Sequence, residues 1–355
     1  MEVKTIVTKN CANLADGGWR PSGTTQLGAA GALQLALHER AAAAAAHQFG
    51  NRVFVRGVVE VSNYCRQNCS YCGMRRENRN LDRYRANLDR LAELVIHHRP
   101  ASITDLNLQA GEDPVAVRDV VIPLIRVIRG RTSLGVSVCL GNLDAKLYAA
   151  VKEAGATIYI LKFETANEAS YRNLGAPGTL GRRLGNIRHL ADSGWQVSSG
   201  FIAGLPGEDE KDLERNLEVA ASLPISGCSV SPFIPGGATP LAGSPMASLE
   251  LTLNCMAALR LARPDWVIPA VSALNMSDPR SGYRRGLATG ANLVTINMTP
   301  PDMRDDYLLY TRDRVIMTEE RILTAMESEG RIPSEVGLAA YLASKASSTA
   351  SLAQV

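Results

Sequence analysis

Gly57-Val58-Val59-Glu60-Val61-Ser62-Asn63-Tyr64-Cys65-Arg66-Gln67-Asn68-Cys69-Ser70-Tyr71-Cys72-Gly73 is the stretch on which the reading of this chain turns. Its first part, 57–61, is a short β-branched run of the kind that forms a strand buried on both faces. Its second part sets three cysteines directly behind that run, at a spacing of three and then two intervening residues. The strand pattern repeats along the chain. Further strand-like runs at 103–108, 135–140, 158–163, 196–202, 228–233, 267–272 and 292–297 alternate with amphipathic stretches such as 89–96, 144–153, 180–191 and 213–221. Eight β-then-α units predict an α/β fold, a (βα)8 TIM-type barrel, over an open doubly wound sheet. A partial barrel of six units with a separate tail is the alternative.

In such a barrel, chemistry gathers where strands end and loops begin. The cysteines follow the first strand, Gln109-Ala110-Gly111-Glu112 the second, and Leu140-Gly141-Asn142 the third. Glu164-Thr165-Ala166-Asn167 follows the fourth, and the fifth leads into the glycine-rich piece 200–208. All of these are expected on one rim.

Three thiolates at this spacing can bind three irons of a cubane 4Fe–4S cluster and leave the fourth iron open. An open coordination position separates a reactive metal site from a closed structural one. The amino and carboxylate groups of S-adenosylmethionine can chelate that iron, and Tyr71, directly before the third cysteine, offers an apolar face for the adenine. The competing reading is a zinc site with a fourth ligand from elsewhere. No second Cys-x2-Cys or Cys/His pair answers it, and His97 and His98 read as a solvated helix terminus.

Composition narrows the class. Of 355 residues, 46% are hydrophobic and 21% charged, ordinary for a globular enzyme with an ample core. Lys+Arg of 38 against Asp+Glu of 35, with no long basic block, argues against nucleic acid as a main partner. Met1-Glu2-Val3-Lys4 opens no signal peptide, and no apolar run suggests a membrane span. Seven cysteines, three of them clustered, fit a reducing cytoplasm better than a disulfide framework. The alanine run 41–46 reads as the middle of a helix over about 27–49, and the Ser/Ala-rich tail from Ser344 is expected to fray. The expected organisation is an N-terminal helical extension over 1–50, a barrel over 51–312, and a C-terminal helical segment and tail over 313–355.

Taken together, Cys65-x3-Cys69-x2-Cys72 with Arg75-Arg76-Glu77-Asn78, then Gln109-Ala110-Gly111-Glu112-Asp113-Pro114, Phe163-Glu164-Thr165-Ala166-Asn167, 200–207 and Pro232-Phe233-Ile234-Pro235 carry a family likeness. The chain resembles the radical S-adenosylmethionine superfamily and, within it, the biotin synthase-like group. The nearest likeness is to the iron-only hydrogenase maturase (HydE-like) and methylornithine synthase enzymes. The resemblance spans about Arg52 to Tyr310 and implies one 4Fe–4S cluster held by Cys65, Cys69 and Cys72. It also implies Tyr71 and Ile202 at the adenine, and Ala110, Gly111 and Glu112 at the methionine amino group. Glu164 would be an acidic contact to S-adenosylmethionine, and Arg183 a clamp on its carboxylate. Such a charge pair also suits an ordinary helix-edge ion pair. Ala110 replaces the family's first glycine. An electron donor such as flavodoxin or ferredoxin is implied as a partner.

The departures from biotin synthase narrow the function. Two cysteine positions that hold its second cluster align with Ser137 and Ser198, and a serine hydroxyl is a poor ligand there. Cys139 shares a strand with Ser137, Cys228 could point inward, and Cys11 and Cys255 read as remote. The expectation is one cluster and no built-in sulfur donor. Inward candidates for substrate are Arg56, Asn107, Ser199, Ser231, Ser272, Asn275, Asn297, Thr299 and Tyr310, a mostly neutral set with one cation. Arg56 matches an arginine that meets a carboxylate in the related enzymes; a strand-base salt bridge with Glu60 or another acid is the plainer reading. The function implied is radical cleavage of S-adenosylmethionine and hydrogen abstraction from a small amino-acid-like or carboxylate-bearing metabolite in cofactor or natural-product biosynthesis. A sulfur-transferring C–S bond former and a non-catalytic cluster scaffold are the alternatives.

Overall fold

The computed structural model describes residues 27–352. Seven parallel strands form one curled sheet: β1 (Arg52–Ser62), β2 (Asp105–Ala110), β3 (Gly135–Cys139), β4 (Ile158–Ile160), β5 (Gln196–Ala203), β6 (Gly227–Pro232) and β7 (Leu293–Asn297). Their spatial order is β6-β5-β4-β3-β2-β1-β7, and a two-residue strand β8 (Ile332–Pro333) pairs with the start of β1. The main helices are α1 (Gly31–Phe49), α2 (Leu88–His97), α3 (Ile122–Arg131), α4 (Ala145–Glu153), α5 (Leu180–Asp192), α6 (Glu210–Ser222), α7 (Leu249–Ala262), α8 (Glu319–Ser328) and α9 (Leu338–Leu352).

Residues 267–269 span the gap between β6 and β7: Val267 bridges Gly227, and Pro269 bridges Leu293. The expected full strand over 267–272 is thus reduced to two single bridges, because Pro269 has no N–H with which to extend a ladder. The parallel α/β barrel architecture holds.

Alternation along β1 sets what faces where. Val53, Val55, Val59 and Val61 point outward into the core under the helices, whereas Arg56, Val58 and Glu60 point into the barrel. Each fully buried aliphatic side chain contributes about 1.5–3 kcal/mol. Helix α1 packs Leu37 and Ala41 on Ala257 of α7. At the barrel base the buried Asp105 carboxylate accepts from the N–H groups of Leu338 and Ala339 at 2.6 and 2.9 Å and so caps α9. That helix continues past Ser344 to Leu352, where the sequence suggested fraying. Cys11 lies outside the described residues. Among the described residues no helix is long and apolar enough to cross a membrane.

Candidate active site

The cysteine loop leaves β1 at Ser62 and is held in shape by one guanidinium. Arg83 donates through Nη1 to the carbonyls of Asn63 (2.5 Å) and Met74 (2.9 Å), and through Nη2 to those of Arg75 (2.7 Å) and Asn78 (3.2 Å). Gly111 lets the end of β2 pass close beneath: a Cβ there would stand 2.3 Å from the Tyr64 carbonyl oxygen and 2.8 Å from Cys65 Cβ. The Glu112 carboxylate fastens the loop to the rim, accepting from Arg66, Gln67 and the Asn142 N–H. Glu112 is therefore a brace under the loop, its carboxylate already occupied by protein donors.

The three thiols act on one another. Burial, then the neighbouring Cys72 and Cys65, pushes the Cys69 thiol up; burial and Cys65 push Cys72 up to about 12, and burial raises Cys65. Thiols in mutual electrostatic reach within a desolvated loop favour a multi-cationic centre, which stabilises the thiolates and displaces their protons. Among the described residues no three His, Cys, Asp or Glu side chains are arranged around one metal ion. Ligands that each take a separate iron need no common centre. His97 and His98 lie exposed at the end of α2 beside Glu93, as a solvated terminus does.

Beside the loop, inside the barrel, lies a cavity of about 310 Å³ lined by Tyr71, Cys72, Ala110, Glu164 and Ile202, among others. Glu164 reaches it from a strained backbone. Its φ of 65° lies in the left-handed region, and its N–H and C=O bond to Gly200 and Ile202 of β5. Such a conformation costs a non-glycine residue about 1–2 kcal/mol, and here it turns the carboxylate inward. Glu164 Oε2 is buried and lacks a hydrogen-bond partner, although Lys162 Nζ stands 3.2 Å away. Arg183 comes from the buried stripe Leu180, Arg183, Ile187 and Leu190 of α5, whose helical spacing carries the guanidinium inward. Its Nε donates to the Lys162 carbonyl at 2.7 Å. Its Nη1 is buried without a hydrogen bond, 3.7 Å from Glu112 Oε1. A buried carboxylate oxygen and a buried guanidinium nitrogen, each with unused capacity, suit a zwitterionic ligand.

Comparison with known proteins agrees. Residues 59–220 match the family model described as the Radical SAM superfamily. The FeFe-hydrogenase maturase subunit HydE of Thermotoga maritima is 35% identical over 74% of this chain and 74% of its own length. The chain belongs to the radical SAM superfamily. The 3-methylornithine synthase of Methanosarcina barkeri is 28% identical over 75% of each chain. The crystal structure of methylornithine synthase (PylB) superimposes with a TM-score of 0.77 at 26% identity, covering 88% of this chain and 92% of that one. Radical SAM enzymes use a 4Fe–4S cluster and S-adenosylmethionine, and the donors described above fit both.

The interior of this radical SAM barrel differs from the sequence reading at several positions. Ser199 is not inward. It is wholly buried with Oγ bonded to the Leu161 carbonyl at 2.8 Å, and the alternation of β5 gives the cavity Ser198 in its place. Cys228 likewise faces the helices in the apolar core, as does Cys255. Asn275 and Thr299 brace the scaffold: Asn275 Oδ1 accepts from the Tyr283 N–H, and Thr299 Oγ1 from the Glu60 N–H. Ser231, Ser272, Tyr310, Asn107 and Cys139 do line the cavity. Asn297 lines an adjoining cavity of about 160 Å³ that shares Arg56 and Ser272.

Arg56 is not paired with Glu60. It donates from Nε to Thr295 Oγ1 at 3.0 Å, while Glu60 forms a bidentate pair with Arg314, both bonds 2.7 Å. The expected single cation is in fact two, because Lys162 also lines the cavity. Its inward direction follows from Ile158 and Ile160 by the period of two. Arg314 and Arg83 carry no sequence signal, since each acts on groups distant in the chain or on backbone carbonyls.

Proposed function

We propose that this protein is a radical SAM enzyme that abstracts a hydrogen atom from a small, carboxylate-bearing, amino-acid-like metabolite. Cys65, Cys69 and Cys72 hold the cluster, Tyr71 and Ile202 flank the adenine, and Glu164 and Arg183 receive the polar groups of S-adenosylmethionine. When bound, cluster and S-adenosylmethionine supply a 5′-deoxyadenosyl radical on delivery of one electron from a flavodoxin- or ferredoxin-type donor. The chain's own part is to hold a substrate carbon close and to keep water out. The observation that carries the substrate class is Arg56. It is a strand-borne guanidinium inside the barrel whose acidic neighbour, Glu60, is already taken by Arg314. A carboxylate buried inside the barrel needs such a partner. The 310 Å³ cavity suits a small metabolite. Cys228, turned away from the cavity, supports a single cluster and no sulfur donation.

The test is anaerobic purification, iron analysis and reduction with S-adenosylmethionine. We expect about four irons per chain, release of 5′-deoxyadenosine, and loss of both in Cys65→Ala, Cys69→Ala and Cys72→Ala. A chain holding about eight irons, or a reduced, iron-loaded chain that leaves S-adenosylmethionine intact, would overturn the proposal.

A further inference from the structure

Cys139 ends β3 inside the cavity, and outside the cysteine loop it is the only thiol among the described residues that lines it. Serine hydroxyls from β5 and β6, at Ser198, Ser229 and Ser231, and the phenols of Tyr71, Tyr307 and Tyr310 line the same cavity. The S–H bond is weaker than a serine O–H or an aliphatic C–H bond and compares only with the phenolic O–H bonds of the tyrosines, so a carbon radical here can take hydrogen from Cys139 in a thermodynamically easy step. The thiol stays protonated, because burial raises it above the ordinary range despite Arg183, Lys162 and Arg56 nearby. Geometry locates it: Glu164, whose buried Oε2 meets only Lys162 and has capacity left for one ligand, and Arg56, which points to another, line the same cavity as Cys139. The sulfur thus lies in the space shared by the two ligand sites.

We propose, resting on the radical reading above, that Cys139 is a hydrogen-atom donor to carbon radicals formed in this cavity. A C–H bond forms as the Cys139 S–H bond breaks, leaving a thiyl radical. One electron and one proton restore the thiol, the electron coming from the same one-electron donor class that drives S-adenosylmethionine cleavage. The reaction class that follows ends in a new C–H bond, as an epimerisation or a reductive rearrangement does, and not in C–S bond formation.

The experiment uses the iron-loaded chain and S-adenosylmethionine alone, reduced in D2O, with the deuterium content of 5′-deoxyadenosine read by mass spectrometry. The thiol exchanges with solvent, so the parent should yield singly deuterated product. Cys139→Ala and Cys139→Ser should keep their iron and their S-adenosylmethionine affinity and still release 5′-deoxyadenosine, but without solvent deuterium. Without reductant, bound S-adenosylmethionine should protect Cys139 of the parent several-fold from iodoacetamide, read on the Cys139 peptide. Unlabelled product from the parent, label retained in both variants, or unprotected Cys139 would each overturn the proposal. So would loss of cleavage in variants that keep iron and affinity, because a hydrogen donor acts after cleavage. A parent that releases no 5′-deoxyadenosine at all would instead overturn the proposed function.

Discussion

Replacing Arg183 by methionine separates a ligand clamp from an ordinary buried ion pair. Within the protein the guanidinium makes one hydrogen bond, Nε to the Lys162 carbonyl at 2.7 Å, and stands 3.7 Å from Glu112, which keeps its bonds to Arg66, Gln67 and Asn142. The stability cost of Arg183→Met is therefore about 1.5–3 kcal/mol for that charge-assisted bond, and the cysteine loop keeps its brace. The unpartnered Nη1 is the atom free to meet a carboxylate. A hydrogen bond to a charged group is worth about 1.5–3 kcal/mol, and each 1.4 kcal/mol is about tenfold in affinity. The variant should then retain its iron yet bind S-adenosylmethionine about 10- to 150-fold more weakly, measured by anaerobic isothermal titration. Glu164→Gln should weaken binding on the same scale. Affinity within about twofold of the parent in both variants, with iron retained, would return the residues to a structural role and refute the reasoning.

Glu60→Gln should cost about 3–5 kcal/mol, because Arg314 is left buried without its carboxylate. Glu60→Leu combined with Arg314→Met should recover most of that in urea unfolding, and a double variant as unstable as the single would contradict the pairing. Glu208, half-buried behind the 204–208 turn, is pushed up to about 7 chiefly by burial, against hydrogen bonds from Gly204, Leu205 and Asn216. A raised carboxyl favours the folded state fully below its unfolded value near 4.5 and loses that contribution as pH rises through about 7. Unfolding free energy should hence fall by about 3 kcal/mol across that window, and Glu208→Gln should flatten the fall; an unchanged profile in the variant would refute it. Arg56→Gln should leave iron and S-adenosylmethionine binding intact, while any amino acid that accelerates 5′-deoxyadenosine release by the parent should cease to do so.

The barrel was legible because its strands are short valine- and isoleucine-rich runs covered on the outside, and its rim because polar, glycine-rich pieces follow each run. Helix limits came out within a few residues, as with 180–191 against Leu180–Asp192. Where reading failed, the missing information was not local. A strand shows its period of two but not its phase, so the sequence points to Ser199 where the fold turns Ser198 into the cavity. Pro269 is strand-like in composition around it and ladder-breaking in itself. Glu60 and Arg314 are separated by 254 positions, so only the folded chain shows that Glu60 is unavailable to Arg56.

That last pairing ties fold to function. Arg314 lies on the segment that follows β7, and in the same segment Tyr307, Leu309 and Tyr310 line the cavity. The Leu309 carbonyl accepts from the Gly73 N–H of the cysteine loop, and the Tyr310 carbonyl from the Gly237 N–H beyond β6. One bidentate pair thus anchors the piece of chain that joins the cysteine loop to the far wall of the cavity. The same pair takes up the only acid on β1, so Arg56 has no carboxylate partner on its own strand. Breaking it should do two things at once: loosen the wall beside the cysteine loop, and free either Arg314 or Glu60 to compete at the Arg56 site. An anion-dependent stimulation of 5′-deoxyadenosine release that survives Glu60→Gln unaltered would mean that the two roles are separate after all.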